Sequence, residues 1–486
     1  MTAIKDIKPT EIWSVFYEMT QIPRPSYHEE KIQEWAVNFG EKLGLETLKD
    51  EVGNVIIRKP ATGGMENRKG IIFQGHLDMV PQKNNDKQHD FTTDPIEAFV
   101  DGEWVTANGT TLGADNGIGV SSALAVLASK TIKHGPVEVL LTATEETGMD
   151  GAKGLKAGIL QGDILLNTDT EDEGTFSIGC AGGIDVSAIF KNKLTKKIPK
   201  KSTAFTLKVT GLKGGHSGVD IHLGRGNANK VFFRILKEIS CKSDVRLAEI
   251  QGGSLRNAIP REAFGLIIVK SKKAEKLMAR VAELAETIKT ELENVEPDLS
   301  IELEAAEMPK KIMSKSLQKK LTNAVWAAPN DVVRMSDTMP GTVETSSNLA
   351  IVKSDKSKVE INCLVRSFSE SAKLALASRL ESVFTLAGAC VSVDGSYPGW
   401  KPDVNSEILE VMKKLYYKQF KMKPELLAMH AGLECGILGA TYTNWDMISI
   451  GPTIKYPHSP DEKVNIATVQ KYWDFLLNVL ENVPEK

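Results

Sequence analysis

Three short, largely apolar runs constrain this chain more than anything else in it: Ile71 to Phe73, Val137 to Thr142 and Asp163 to Asn167. Runs of this length, bounded by turn residues, read as buried strands. Helical patterns lie between them, and strands buried on both faces and alternating with helices form a mostly parallel α/β sheet. Ligands of such sheets bind beyond the carboxyl ends of the strands. All three runs end in residues suited to chemistry: Gly75-His76-Leu77-Asp78 after the first, Thr144-Glu145-Glu146 after the second and Thr168-Asp169 after the third. His76 and Asp78 are two positions apart, so an extended backbone turns both side chains the same way.

With 486 residues the chain should hold two or more domains. A net charge of -3 gives no reason to expect nucleic acid or an acidic membrane as a partner. No basic-then-apolar leader and no membrane-spanning run is found, so the cytoplasm is the expected location. The five cysteines are scattered singly, which argues for reduced thiols and leaves any metal to nitrogen and oxygen ligands.

In order, residues 9–19 read as a helix. Ser26 with Glu29 and Glu30 forms a capping arrangement before a helix whose inner face carries Ile32, Trp35 and Phe39. Residues 52–57 read as a strand and 82–110 as a polar surface loop in which His89 is solvated. Next comes Gly113-Ala114-Asp115-Asn116-Gly117-Ile118-Gly119 at the start of an apolar helix. It lacks the full dinucleotide fingerprint and the phosphate-loop lysine. Asp115 alone would be a helix cap, but a cap does not account for the crowding of glycines, whereas a close backbone approach does.

From about 186 to 395 the rhythm changes to that of an inserted α+β domain, a β-α-β-β-α-β unit followed by a partial second copy. This gives a first catalytic segment, 1–185, an insert, 186–395, and a second catalytic segment, 396–486. In the last segment a strand at 447–450 leads to a loop with His458, and a turn at Asp461-Glu462-Lys463 precedes a closing helix.

His76, Asp115, Glu146, Asp169 and His458 thus form a candidate ligand set. Two imidazoles with three carboxylates suit borderline divalent ions, zinc first and then manganese or cobalt. Five ligands exceed what one tetrahedral zinc needs, so two ions are expected, with Asp115 as the bridge. Paired ions activate water for hydrolysis. Of the adjacent glutamates, Glu146 is read as a ligand and Glu145 as the general base, with Asp78 orienting His76.

Carried by Gly75-His76-Leu77-Asp78-Met79-Val80-Pro81, Gly113-Ala114-Asp115-Asn116-Gly117, Thr144-Glu145-Glu146-Thr147-Gly148, Asn167-Thr168-Asp169 and the late His458, the chain resembles the di-zinc exopeptidases of the glutamate carboxypeptidase, aminoacylase and dipeptidase family. Within it, Gly214-Gly215-His216-Ser217-Gly218, Ser254-Leu255-Arg256-Asn257-Ala258-Ile259-Pro260 and His430-Ala431-Gly432-Leu433-Glu434 are most similar to the aminoacyl-histidine dipeptidases, also called cytosol non-specific dipeptidases or peptidase D. The resemblance implies hydrolysis of dipeptides, including Xaa-His dipeptides such as carnosine, with deacylation of N-acyl amino acids or carboxypeptidase action as the alternative. It implies that the insert, about twice the family's usual length, is a double ferredoxin-like lid that also makes a homodimer. His216 would reach a neighbouring subunit's site and polarise the scissile carbonyl. Asn257, Arg366 and the Gly432 turn would hold the substrate's terminal carboxylate.

Overall fold

The largely apolar runs form strands that take every residue of Ile71–His76, Val137–Thr142 and Ile164–Asn167 out of water. The computed structural model describes residues 3–486. It divides into two compact units, the first comprising Met1–Cys180, Trp400–Ala428 and Leu433–Lys486, the second Ala181–Gly399 and Met429–Gly432.

The first unit is built on an eight-stranded sheet. Its four central strands, Val137–Thr142, Ile71–His76, Ile164–Asn167 and Asp446–Ser449, run parallel, so their carboxyl ends share one edge. The flanking strands Val55–Lys59 and Thr175–Cys180 join antiparallel. The helix Ala114–Ala128 is buried on every side as far as Leu127, and glycine lets it approach the sheet. A Cβ on Gly119 would lie 2.4 Å from Thr168 Oγ1. That close approach accounts for the glycines a cap left unexplained.

The expected surface loop at 82–110 contains two strands, Ala98–Asp101 and Trp104–Ala107. They pair with Asp101 opposite Trp104, so Gly102 and Glu103 form the two-residue turn, with Gly102 at φ 58° in its first position, where such a turn takes glycine. Trp104–Ala107 also pairs with Lys463–Asn465 and fixes the segment that follows His458.

The second unit carries a nine-stranded, wholly antiparallel sheet. In sheet order, Arg246–Gly252, Ala263–Lys270, Ser202–Thr210 and Ser300–Ala306 form one β-α-β-β-α-β copy. Val343–Ser354, Lys358–Ser367, Gly182–Lys191 and Cys390–Tyr397 form another in the same spatial order. The second copy is therefore complete, not partial. Its first strand, Gly182–Lys191, precedes the whole of the other copy in sequence. Ile184, Val186, Ala188 and Phe190 alternate into a core shared with Phe232, Leu321 and Phe384.

Candidate metal centre

His76 ends its strand with its ring 1% exposed between three carboxylates. Nδ1 faces the Asp78 carbonyl at 3.1 Å and its Oδ1 at 3.3 Å. Nε2 faces Asp115 Oδ1 at 3.1 Å and Asp169 Oδ1 at 3.5 Å. The other oxygen of Asp115, Oδ2, lies 3.2 Å from His458 Nε2, which also meets Glu146 Oε2 at 2.9 Å. Asp115 therefore turns one oxygen to each imidazole, between a His76/Asp169 pair and a His458/Glu146 pair.

All five expected ligands come together. His76, Asp115 and Glu146 each offer a ligand atom within 4.8 Å of the others, a cluster able to hold a metal ion. Asp115 does not cap its helix. Gly113 occupies the cap position at φ 72° with no side-chain cap bond, and the Asp115–Asn116 peptide is cis.

Glu145 and Glu146 sit on the turn after Val137–Thr142, and Asp78 holds that turn. Its Oδ1 accepts the Glu145 N–H at 3.0 Å, and its Oδ2 accepts the Glu146 N–H at 3.2 Å and the Ser26 hydroxyl at 2.8 Å. The expected cap at Ser26 and Glu29 is thus absent: Ser26 bonds Asp78, and Glu29 Oε1 accepts the Thr144 N–H at 2.9 Å. Thr144 is held at φ 59°, a costly conformation for a β-branched residue and one found where a site over-determines its backbone.

Three further residues were not recognised from sequence. Arg24, 1% exposed, donates to the carbonyls of Leu77 (2.9 Å), Asp78 (3.0 Å) and Gly113 (2.5 Å). Glu434 accepts from Gln74 Nε2 at 2.6 Å and Thr142 Oγ1 at 2.7 Å. Glu462 accepts backbone N–H groups of the Asp115 turn. Gln74 and Thr142, polar residues of buried strands, were the signal in the sequence that a partner such as Glu434 must exist.

The electrostatics call for cations. Burial and the Asp115 charge push Asp169 up to about 7, and burial pushes Glu434 and Glu462 to about 7 as well. Hydrogen bonds to Asp115 and Glu146 push His458 up to about 11, so without a metal a proton sits where the two carboxylates converge on its ring. Burial opposes charge on Asp115, but the His458 and His76 rings hold it below the usual carboxylate range. Glu146 Oε1 is buried with no partner. Protons or cations must compensate a buried cluster this acidic, and its nitrogen and oxygen donors fit zinc-like ions.

In the second unit His216 lies in a short strand paired with Ala258–Ile259. Its Nδ1 accepts the N–H groups of Gly218 (3.2 Å) and Val219 (3.1 Å), two bonds that place the proton on Nε2 against the longer 3.5 Å approach of Arg366 Nη2 to that atom. Burial and then the nearby Arg366 lower its pKa. Arg366, 5% exposed, donates to the Tyr397 hydroxyl at 3.0 Å and makes no ion pair among the described residues of its unit. Asn257 is exposed, and its carbonyl accepts the Ser217 N–H at 2.8 Å. Gly432 lies against Tyr397, whose ring would be 3.1 Å from an added Cβ.

The Peptidase family M20/M25/M40 model matches residues 72–482, and the chain belongs to that family. It is 48% identical over 486 residues, all of both chains, to the cytosol non-specific dipeptidase of Escherichia coli K12. The crystal structure of aminoacylhistidine dipeptidase from Vibrio alginolyticus is similar at TM-score 0.96 and 50% identity, covering 100% of this chain and 99% of that one. The aminopeptidase PepT of Bacillus cereus shares the fold at TM-score 0.58 and 17% identity, with 98% and 99% covered. Among the described residues no helix is long and apolar enough to cross a membrane.

Proposed function

We propose that this chain is a cytoplasmic metal-dependent dipeptidase whose centre takes two divalent ions, zinc by its donor set. The observation that carries the reading is Asp115, with one oxygen toward His76 and the other toward His458. His76, Asp169 and Asp115 would hold one ion, and His458, Glu146 and Asp115 the other. When bound, the pair supplies Lewis acidity that activates water and stabilises the developing oxyanion.

The remaining work belongs to side chains. Glu145, whose carboxylate makes no hydrogen bond here, takes the proton of the attacking water and returns it to the leaving amide nitrogen. Burial first, and then the Asp169, Glu434 and Glu146 charges, holds it well above the ordinary carboxyl range, which suits a group that must keep a proton between two steps. Asp78 fixes the His76 ring and the Glu145–Glu146 backbone together.

Arg366 is assigned to the substrate's terminal carboxylate, because a buried guanidinium without an ion pair offers a bidentate fork. Asn257 and the Gly432 turn complete that subsite. His216, with its proton on Nε2, polarises the scissile carbonyl, acting on a neighbouring subunit in a homodimer formed through the second unit.

The whole-length likeness to two dipeptidases favours dipeptides over N-acyl amino acids or longer peptides. The test is hydrolysis of β-alanyl-histidine, ordinary dipeptides, tripeptides and N-acetyl amino acids by metal-stripped protein, before and after adding zinc, manganese or cobalt. Metal-dependent cleavage confined to dipeptides is expected. Cleavage of the N-acetyl compounds alone would replace the reading with a deacylase, and a protein that binds no metal would end it.

A further inference from the structure

Glu462 has no part in the chemistry above, yet its carboxylate is fully engaged. It is 2% exposed and lies four positions after His458. Oε2 accepts the N–H groups of Leu112 at 2.7 Å and Gly113 at 2.9 Å, and Oε1 those of Ala114 at 2.8 Å and Asp115 at 3.2 Å. Leu112 precedes the Ala114–Ala128 helix, Gly113 caps it and Ala114 and Asp115 open it, so no hydrogen bond inside the helix satisfies these donors. Consecutive N–H groups converge because Gly113 takes a left-handed conformation, making a concave anion site. Two backbone N–H donors thus face each of the two carboxylate oxygens. Its own backbone is tied down: its N–H donates to Ser459 O at 3.0 Å, and its carbonyl accepts the Thr106 hydroxyl at 2.8 Å.

The two halves of the centre depend on this clamp unequally. His76 stands on a central strand against Asp78, and Asp169 is held by Asn116 Nδ2 at 2.6 Å and by its own N–H on Asn167 at 3.1 Å. His458 sits on a loop, with its side chain 52% exposed and its backbone at φ 58°. Among the described residues its ring makes polar contacts with Asp115 and Glu146 alone. What joins that loop to the Asp115 turn, more than 340 positions away in sequence, is Glu462.

We propose that Glu462 is a positioning residue that pins the His458 loop onto the Asp115 turn and so assembles the ligand set of the second ion, an inference that rests on the two-ion reading above. Calorimetric titration of the metal-free, full-length protein with zinc tests it directly. The wild type binds two ions. In Glu462→Gln, whose amide would point N–H groups at backbone N–H groups, the second ion weakens about 10–100-fold while the first stays within about threefold. In a His458→Ala background, where the second set is already broken, adding Glu462→Gln leaves the remaining ion within about threefold.

Two sites of unchanged affinity in Glu462→Gln, or equal weakening of both ions in a chain with wild-type circular dichroism, would overturn the proposal. Should the Gln variant not fold, Glu462→Asp, which keeps the charge one methylene shorter, carries the same two outcomes. A wild type that binds fewer than two ions would instead refute the two-ion reading and take this inference with it.

Discussion

Asp78 is the residue on which most of the site's geometry converges, and Asp78→Asn separates its charge from its shape. The carboxylate faces four donors: the Ser26 hydroxyl, the N–H groups of Glu145 and Glu146, and His76 Nδ1. Asparagine offers one oxygen for two of these and turns an NH2 group on the rest. Two charge-assisted hydrogen bonds are lost at about 1.5–3 kcal/mol each, a ceiling of about 3–6 kcal/mol. Part is recovered because a buried carboxylate no longer has to stay ionised.

What remains falls on the orientation of His76 and on the turn carrying Glu145 and Glu146. Metal affinity by calorimetric titration should fall about 10–100-fold. The rate constant kcat/KM on a dipeptide should fall at least as far, because base and ligand move with the same turn. Ser26→Ala removes one neutral donor and leaves three, so its loss should stay under about tenfold. If Asp78→Asn binds metal and turns over within about twofold of wild type, the carboxylate's charge is idle and the assignment of Asp78 is wrong.

Glu145→Ala should keep its metals and lose kcat by about 10²–10⁴ or more, and a near-normal rate with full metal would exclude Glu145 as the base. Arg366→Lys keeps the charge but not the fork, so kcat/KM for dipeptides should drop about 10–100-fold, mostly through KM; an unchanged KM would move the carboxylate subsite elsewhere. His430 lies buried in the second unit with Nε2 at 2.7 Å from Ser346 Oγ, and burial, then the Arg366 and His216 charges, bring its pKa down to about 3 from 6.5. Between those values the unfolded chain binds the extra proton, so stability is full above the unfolded value and is lost as pH falls through it, by about 2 kcal/mol at about pH 5. Urea unfolding at neutral pH and at about pH 5 should show that loss in the wild type and not in His430→Gln; equal slopes would mean His430 does not stay neutral.

The proposed ligands were legible in the sequence because chemistry restricts them: with the cysteines scattered, only His, Asp or Glu serves, and His76, Glu146 and Asp169 lie at or just beyond the carboxyl ends of parallel strands. The residues that hold them were not legible, because their local surroundings give a sufficient and wrong account. Ser26 and Glu29 have capping spacing, yet both side chains leave the helix for the metal turns. Arg24 stands between two prolines, as a surface arginine would, but donates to three buried carbonyls. Glu462 sits in an acidic turn whose composition reads as solvated, and its partners lie about 350 positions upstream. The same reasoning explains the strand Gly182–Lys191. Its alternation of Ile184, Val186, Ala188 and Phe190 is a local signal, but its membership of a copy interrupted by another copy is set by pairing with Lys358–Ser367 and Cys390–Tyr397. Sequence pattern therefore finds groups whose type is fixed by the reaction. It passes over charged groups whose only task is to bond backbone, since any acceptor or donor of the right reach would serve and the fold alone decides which one arrives. A site read from ligands alone is then read without what keeps them in place, and here Arg24 takes the Gly113 carbonyl and Glu462 the amides of the same Asp115 turn.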